Sequence, residues 1–410
     1  MVALGIVAFV VALLLSVVLH EAGHFVTARR FGMKATQFFV GFGPTLWSRR
    51  RGETEYGIKA VPAGGFVKIV GMTPLEDVDP EDEPRAFYKQ SAGKKAVVLA
   101  AGSFVHFLIA IGLVVATVVG FGTVDQEAPV VTAPSESLPA SVEIVGGQVV
   151  ASEDTVPAPA AGVLQREDRV LAVDGEPTAT WQEVVAAVRA KPGEQVQLQV
   201  ERNGQVLDVA LVPAAVTRPA IDGEGVQQPG TTETVGAIGV GQTVVFSRPS
   251  GPGEAISETG DTLGLMIEGT YRAVTEKLGT VTSLYSPERD REGLVGLVGA
   301  ARVSGEVLNI EQIPFAQRAA SFLLLIAGLN LFVGLFNLLP LLPLDGGHLA
   351  VLGFETARDK VRRLFGYRGE LQRVDFTKLL PLTYAVVLAF VGLTVWIMGA
   401  DIVNPIRLNQ

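Results

Sequence analysis

The chain has 410 residues, 48% of them hydrophobic, a formal net charge of −9 and no cysteine, and its mean hydropathy is +0.38. A positive mean hydropathy points to several membrane segments rather than a soluble globule. The lack of cysteine excludes disulfides and thiolate chemistry, and an acidic chain whose cations lie close to its apolar segments is not built to bind nucleic acid.

Four stretches are apolar and long enough to cross a bilayer as helices: 1–30, 94–121, 318–351 and 379–401. A signal peptide fits the first poorly, because it has neither a basic leader nor a small-residue cleavage site. Residues 29–95 carry twelve Lys/Arg against eight Asp/Glu, and 352–378 carry seven against four, whereas 122–318 carry 27 acidic against 13 basic side chains. Basic flanks favour the cytoplasmic side. That predicts 29–95 and 352–378 inside, 122–318 outside, and both chain termini extracytoplasmic.

The first span ends in SVVLHEAGHF, which brings His20, Glu21 and His24 into an apolar segment. All four histidines of the chain, these two with His106 and His348, lie in or beside hydrophobic stretches. Positions 20 and 24 share a helix face, so two imidazoles can reach one ion while Glu21 stands ready for a water. This is the HExxH arrangement of zinc hydrolases. The alternative, a helix end whose polar groups merely reach the headgroups, leaves costly ionisable groups without a task.

Residues 31–93 are predicted to form a membrane-associated β region on the cytoplasmic side, closed by the acidic linker EDVDPEDEP at 76–84. TEYGIKAVP and GGFVKIV alternate around a Pro-Ala-Gly-Gly turn. Either a plain cytoplasmic hairpin or a sheet dipping into the bilayer fits, the latter only if its backbone groups are paired. After the second span, residues 157–213 predict a strand at Arg169–Val173, a turn at Asp174-Gly175, a helix at Thr180–Arg189 and a hairpin turning at Asn203-Gly204. The pattern looks like a PDZ domain spanning 128–213, a module that takes peptides by strand addition. Residues 214–317 read as an extracytoplasmic linker with an amphipathic helix at 259–284.

Zinc needs a third protein ligand. In GLFNLLPLLPLDGGHLA (334–350), Asp345 is the only acidic residue between Glu311 and Glu355. It follows a proline-broken run and precedes two glycines, which permit close approach. The competing readings are an N-cap aspartate, ligation by His348, and Glu355 as a more distant carboxylate. His348 is expected beside the ligands rather than among them. Asn337 is either an interhelical hydrogen bond or a donor to a substrate carbonyl.

HEAGH in the first span together with NLLPLLPLDGG in a late one resembles the site-2 protease family of intramembrane zinc metalloproteases. The order of parts and the single PDZ-like insert are similar to the actinobacterial branch that cleaves anti-sigma factors in regulated intramembrane proteolysis. The resemblance implies a four-transmembrane core with a cytoplasmic membrane-associated β-sheet and one extracytoplasmic PDZ-like domain, in a bacterial plasma membrane with the site toward the cytoplasm. It implies Zn2+ held by His20, His24 and Asp345, Glu21 as catalytic base, and Asn337 in substrate handling. Gly41 and Gly43 in Gly41-Phe42-Gly43-Pro44, and Gly64-Gly65-Phe66, look like the β elements that hold an unwound substrate strand. Implied partners are single-span membrane proteins such as anti-sigma factors, membrane lipid, and a peptide in the PDZ-like groove. One departure stands out: many relatives carry Gly-Pro-x-x-Asn in the second span, where this chain has Gly102-Ser103-Phe104-Val105-His106, so that His106 is expected either to contact the catalytic region from the neighbouring helix or to approach the metal. A catalytically silent scaffold presenting a PDZ domain is the alternative function. A metal transporter would need more polar residues in the second and fourth spans.

Overall fold

A computed structural model of the chain describes every residue except 1, 73–75, 126, 146–147, 222–226, 244, 287–288, 290–293, 311–313, 368–373 and 407–410. It divides into two compact units, one formed by Met1–Phe121 with Arg248–Gln410 and the other by Gly122–Ser247.

In chain order, helix α1 (Val2–Arg30) is followed by strands β1 (Ala35–Arg51) and β2 (Thr54–Ile69) and helix α2 (Ala92–Gly120). The second unit contains helix α3 (Trp181–Arg189) among short strands. Helices α4 (Pro252–Thr275), α5 (Leu297–Asn309), α6 (Phe315–Asn337), α7 (Asp345–Leu364) and α8 (Leu380–Val403) complete the first unit. By length and composition α1, α2, α6 and α8 can each cross a membrane.

The helices of the first unit pack through small residues, as expected where lipid removes the hydrophobic drive and close van der Waals fit must replace it. A Cβ on Gly23 of α1 would lie 2.8 Å from the Ala101 carbonyl of α2, and one on Gly334 of α6 would lie 2.8 Å from the Phe107 ring of α2. Gly5 of α1 and Gly305 of α5 face each other equally closely, a Cβ on Gly5 falling 2.7 Å from the Gly305 Cα. α4 covers the α2–α6 contact, with Leu263 and Met266 against Val114, Val118 and Ala327.

β1 and β2 make more than a simple hairpin. Gln37–Val40 pair both with Gly65–Lys68 and with Glu55–Ile58, so the two long strands fold back into a wider sheet. The tight turn falls at Gly52 (φ +64°), not at the Pro-Ala-Gly-Gly stretch, which stays inside β2. The bend is made instead at Gly41 (φ +88°) and Gly64 (φ +135°), where only glycine is at ease.

Three expected boundaries are corrected. The third span does not run to 351: α6 stops at Asn337, and Asp345 begins a separate helix. Pro340 and Pro343 lack the donors that would continue α6, and the turn folds back until a Cβ on Gly346 would overlap the carbonyls of Leu338 and Leu339. Residues 352–378 are not mainly loop, because α7 continues through the charged run to Leu364; part of that expected loop, 368–373, lies outside the described residues. Nor is 214–317 a linker with one helix. Ala214–Ile221 pairs with Gln227–Ala237 as a hairpin, Val245–Ser247 pairs with Thr123–Asp125, and both belong to the compact unit Gly122–Ser247, which is larger than the 128–213 read from the sequence.

Within that unit α3 is capped by a reciprocal Thr180–Glu183 box. It lays Val184 and Val188 on a sheet core of Val170, Val173, Leu198 and Val200. The buried Asp168 is held by Arg202 at 2.7 and 2.6 Å.

Candidate metal centre

α1 turns His20 and His24, both at most 9% exposed, toward α2. His24 Nδ1 lies 2.7 Å from the Val98 carbonyl of α2. A carbonyl can only accept, so Nδ1 carries the proton and Nε2 presents its lone pair. That lone pair lies 3.2 Å from His20 Nε2. From the N-terminus of α7, Asp345 Oδ2 approaches within 3.5 Å of His20 Nε2 and 3.3 Å of His24 Nε2. Two imidazole nitrogens and a carboxylate oxygen thus sit within 4.8 Å of one another.

The residues fit a metal on their own chemistry. Asp345 Oδ2 is buried and has no hydrogen-bond partner among the described residues. An orphaned buried acceptor costs about 1–3 kcal/mol, more when charged, and a cation among the three donors removes that cost. Two nitrogens and one oxygen are the donor set of a hydrolytic zinc that keeps one position open.

The space is created by Gly102, the first residue of the divergent motif in the second span. A Cβ on Gly102 of α2 would collide with both the His20 and His24 rings. Gly102 is one of four glycines in α2, and nothing in the sequence distinguishes it from Gly93, Gly112 and Gly120. Glu21 leaves α1 on another face, toward the sheet, where a Cβ on Gly65 would come 3.3 Å from Glu21 Cγ. Gly64 and Gly65 therefore bring the β2 backbone beside the glutamate. Gly41 and Gly43 lie at the bend of the sheet, with Gly41 against the Val61 carbonyl rather than at the donor group.

His106 is near the centre but outside it. Its ring centroid is 5.0 Å from that of His20, and its Nδ1 lies 2.8 Å from Asn330 Oδ1. Asn330, 1% exposed, also donates to the Ile326 carbonyl at 2.9 Å. The sequence singles out Asn337 but not Asn330, although both are amides in the apolar part of α6. Asn337 is the half-buried last residue of α6 and has no hydrogen bond to the three donors. His348 is likewise not bonded to any of them. Its ring stacks on Phe376 at 5.8 Å and opens onto a cleft of about 320 Å³ shared with Lys95, Glu355 and Asp375. Glu355 accepts from the Val374 N–H at 2.7 Å and is no competitor for the metal.

The second unit has a groove of its own, about 440 Å³, between α3 (Trp181, Val184, Val188) and the segment Ala237–Gly241.

A multi-pass membrane protein with two histidines and an aspartate converging inside its helices, and a glutamate alongside, has the construction of a zinc-dependent intramembrane protease. The chain belongs to peptidase family M50, whose family model matches residues 8–368, and zinc is its cofactor. It is 39% identical to the zinc metalloprotease Rip1 of Mycobacterium tuberculosis (strain ATCC 25618 / H37Rv), over 99% of both chains. It is 35% identical to Rip1 of Mycolicibacterium smegmatis, again over 99% of both. The regulator of sigma-E protease RseP of Escherichia coli is 27% identical, covering 85% of this chain and 90% of that protein.

Proposed function

We propose that this protease hydrolyses peptide bonds within the transmembrane segments of single-span membrane proteins, with His20, His24 and Asp345 holding zinc and Glu21 as the base. The observation that carries the assignment is the convergence of His20 Nε2, His24 Nε2 and Asp345 Oδ2 within 4.8 Å beside Glu21. When bound, zinc polarises the scissile carbonyl and acidifies a water. Glu21 takes the proton of the attacking water and returns it to the leaving amide nitrogen. The Val98 carbonyl fixes the His24 tautomer, so that Nε2 stays a ligand through the cycle.

A helical substrate hides its carbonyls in its own hydrogen bonds, so it must unwind before Glu21 can act. The backbone of Gly64-Gly65, level with Glu21, supports a reading in which the opened segment adds to the sheet edge. The relative named for regulation of sigma-E supports anti-sigma factors as the substrate class. The charge contrast between 29–95 and 122–318 supports a site on the cytoplasmic side and both termini outside. The groove beside α3 supports a PDZ-like module that admits or excludes substrates by the chain end they present.

Zinc content and cleavage of the full-length protein in detergent test the assignment. Glu21→Gln should keep about one zinc per chain while cleavage of a trimmed single-span anti-sigma factor falls by roughly 10²–10⁴-fold. Asp345→Ala should lose both. Full zinc without Asp345 would overturn the ligand set, and cleavage retained by Glu21→Gln would overturn the base.

A further inference from the structure

The sheet carries a feature that catalysis does not use. Arg49, Arg50 and Arg51 end β1 in a run of exposed guanidiniums. Among the described residues none of the three has an ion-pair or hydrogen-bond partner, while neighbouring Glu53 is taken by Arg85 at 2.7 and 2.6 Å.

The contacts of the sheet set the level of this run. β1 leaves the end of α1 and runs back along it. Ala35 packs with Ala28, the Phe38 ring lies 5.4 Å from that of Phe25, and Val40 is opposite Gly65, which adjoins Glu21. From Ala28 to Glu21 the helix rises about 10 Å, so the bend at Gly41 lies at least that far inward from the helix end. The second half of β1 then returns. Thr54 Oγ1 donates to the Ala35 carbonyl at 2.7 Å, and Arg85, bonded to Glu53, also donates to the Gly32 carbonyl at 3.1 Å. The arginine run therefore ends level with Arg29 and Arg30, where α1 leaves the bilayer. Along the returning strand, deeper Leu46 and Trp47 are 69% and 55% exposed. Apolar below and cationic above is the profile of a strand standing in lipid with its end among headgroups.

We propose that Arg49, Arg50 and Arg51 bind anionic phospholipid headgroups of the leaflet on the site side, with Leu46 and Trp47 among the acyl chains beneath. Such a lipid braces the sheet whose other edge adjoins Glu21. An acidic protein tail would match the arginines but leave the apolar part of the same strand uncovered. The proposal stands on the sheet and its arginines, not on the metal.

The test uses the full-length protein with Trp181→Phe and Trp396→Phe, leaving Trp47 as the single tryptophan, in bilayers mixing phosphatidylcholine and phosphatidylglycerol with bromine on the tails of one or the other. Brominated phosphatidylglycerol should quench Trp47 more strongly at equal mole fraction. Arg49→Gln/Arg50→Gln/Arg51→Gln should bring the two lipids to parity. In parallel, phosphatidylglycerol retention in mixed micelles is measured on protein with its tryptophans intact, which avoids dependence on the Trp396 change. Each arginine near an anionic surface should contribute roughly fivefold, so the triple variant should lose tens-fold or more. No quenching by either lipid, or a preference unchanged in the triple variant, would overturn the proposal. Zinc content of the triple variant is the control: if it is unchanged, either result bears on the lipid site alone.

Discussion

Two aspartates of the first unit, the buried Asp401 and the half-buried Asp345, have opposite surroundings. Asp401, 1% exposed near the end of α8, has both carboxylate oxygens engaged: Oδ1 accepts from Arg289 at 2.9 Å, and Oδ2 from the backbone N–H groups of Gly296 and Gly299 at 3.0 and 2.9 Å. Those two N–H groups belong to the start of α5, which lacks a side-chain cap of its own, so Asp401 caps that helix from a distant part of the chain. Asp345 has instead an oxygen with no hydrogen bond, aimed at two imidazole nitrogens. Both carry a carboxylate oxygen withdrawn from water. What separates a structural carboxylate from a ligand is whether the protein itself satisfies it.

Exchanging each for its amide sharpens the contrast, and the largest effect belongs to the site. Asp345→Asn should weaken zinc retention by more than the roughly 10–100-fold that changes behind the ligands cost, measured by competition with a chelator, while thermal stability of the metal-free protein holds or rises. Asp401→Asn should do the reverse. It leaves Arg289 buried without its counter-charge, a loss of about 3–5 kcal/mol seen as a lowered unfolding midpoint, with zinc per chain unchanged. If both variants lose zinc equally, the distinction between the two carboxylates fails.

Gly102→Ala tests whether the space at the centre belongs to α2. Alanine favours a helix by about 1 kcal/mol over glycine, so circular dichroism should show no loss of helix, but its methyl meets both imidazoles. Zinc affinity should fall at least tenfold. Asn330→Leu is milder: His106 loses its partner, at about 1–3 kcal/mol of stability, and zinc affinity should change by less than tenfold because His106 is not a donor to the site.

These residues also mark how far the sequence can be read. His20 and His24 were legible because a helix turn converts their spacing directly into a shared face, with Glu21 beside them in the motif. Asp345 was legible by elimination, as the one carboxylate in a long apolar stretch. The break after Asn337 was less so, since prolines announce an interruption without saying that a new helix starts at Asp345. The Asp401–Arg289 pair spans 112 positions, and no local pattern connects a charge at one helix end to an arginine so far away. Gly102 and Asn330 act only through what a neighbouring helix brings to them, and a single chain gives no sign of that neighbour. The pairing of 214–221 with 227–237 escaped because Pro, Gly and polar residues read as linker, although Val216 and Val235 are buried and Arg189 of α3 bonds to Pro219 and Glu233.

A third carboxylate completes the series at its weak end. Glu53 is satisfied, like Asp401, but its side chain is 36% exposed and that of Arg85 43%. The Arg85 guanidinium holds the Glu53 carboxyl below its ordinary value of 4.5. A depressed value in the folded protein means that the stabilisation is complete above pH 4.5 and disappears as pH falls through the folded value. Solvent screens the pair, so even with its two parallel hydrogen bonds it contributes no more than about 1 kcal/mol. Glu53→Gln should therefore lower the unfolding midpoint by about 1 °C at pH 7, with the gap to wild type closing below pH 4.5. A difference as large as that of Asp401→Asn would mean that the tether between Glu53 and Arg85 holds the returning strand of β1 in place far more firmly than an exposed ion pair can, and burial would no longer separate Glu53 from Asp401.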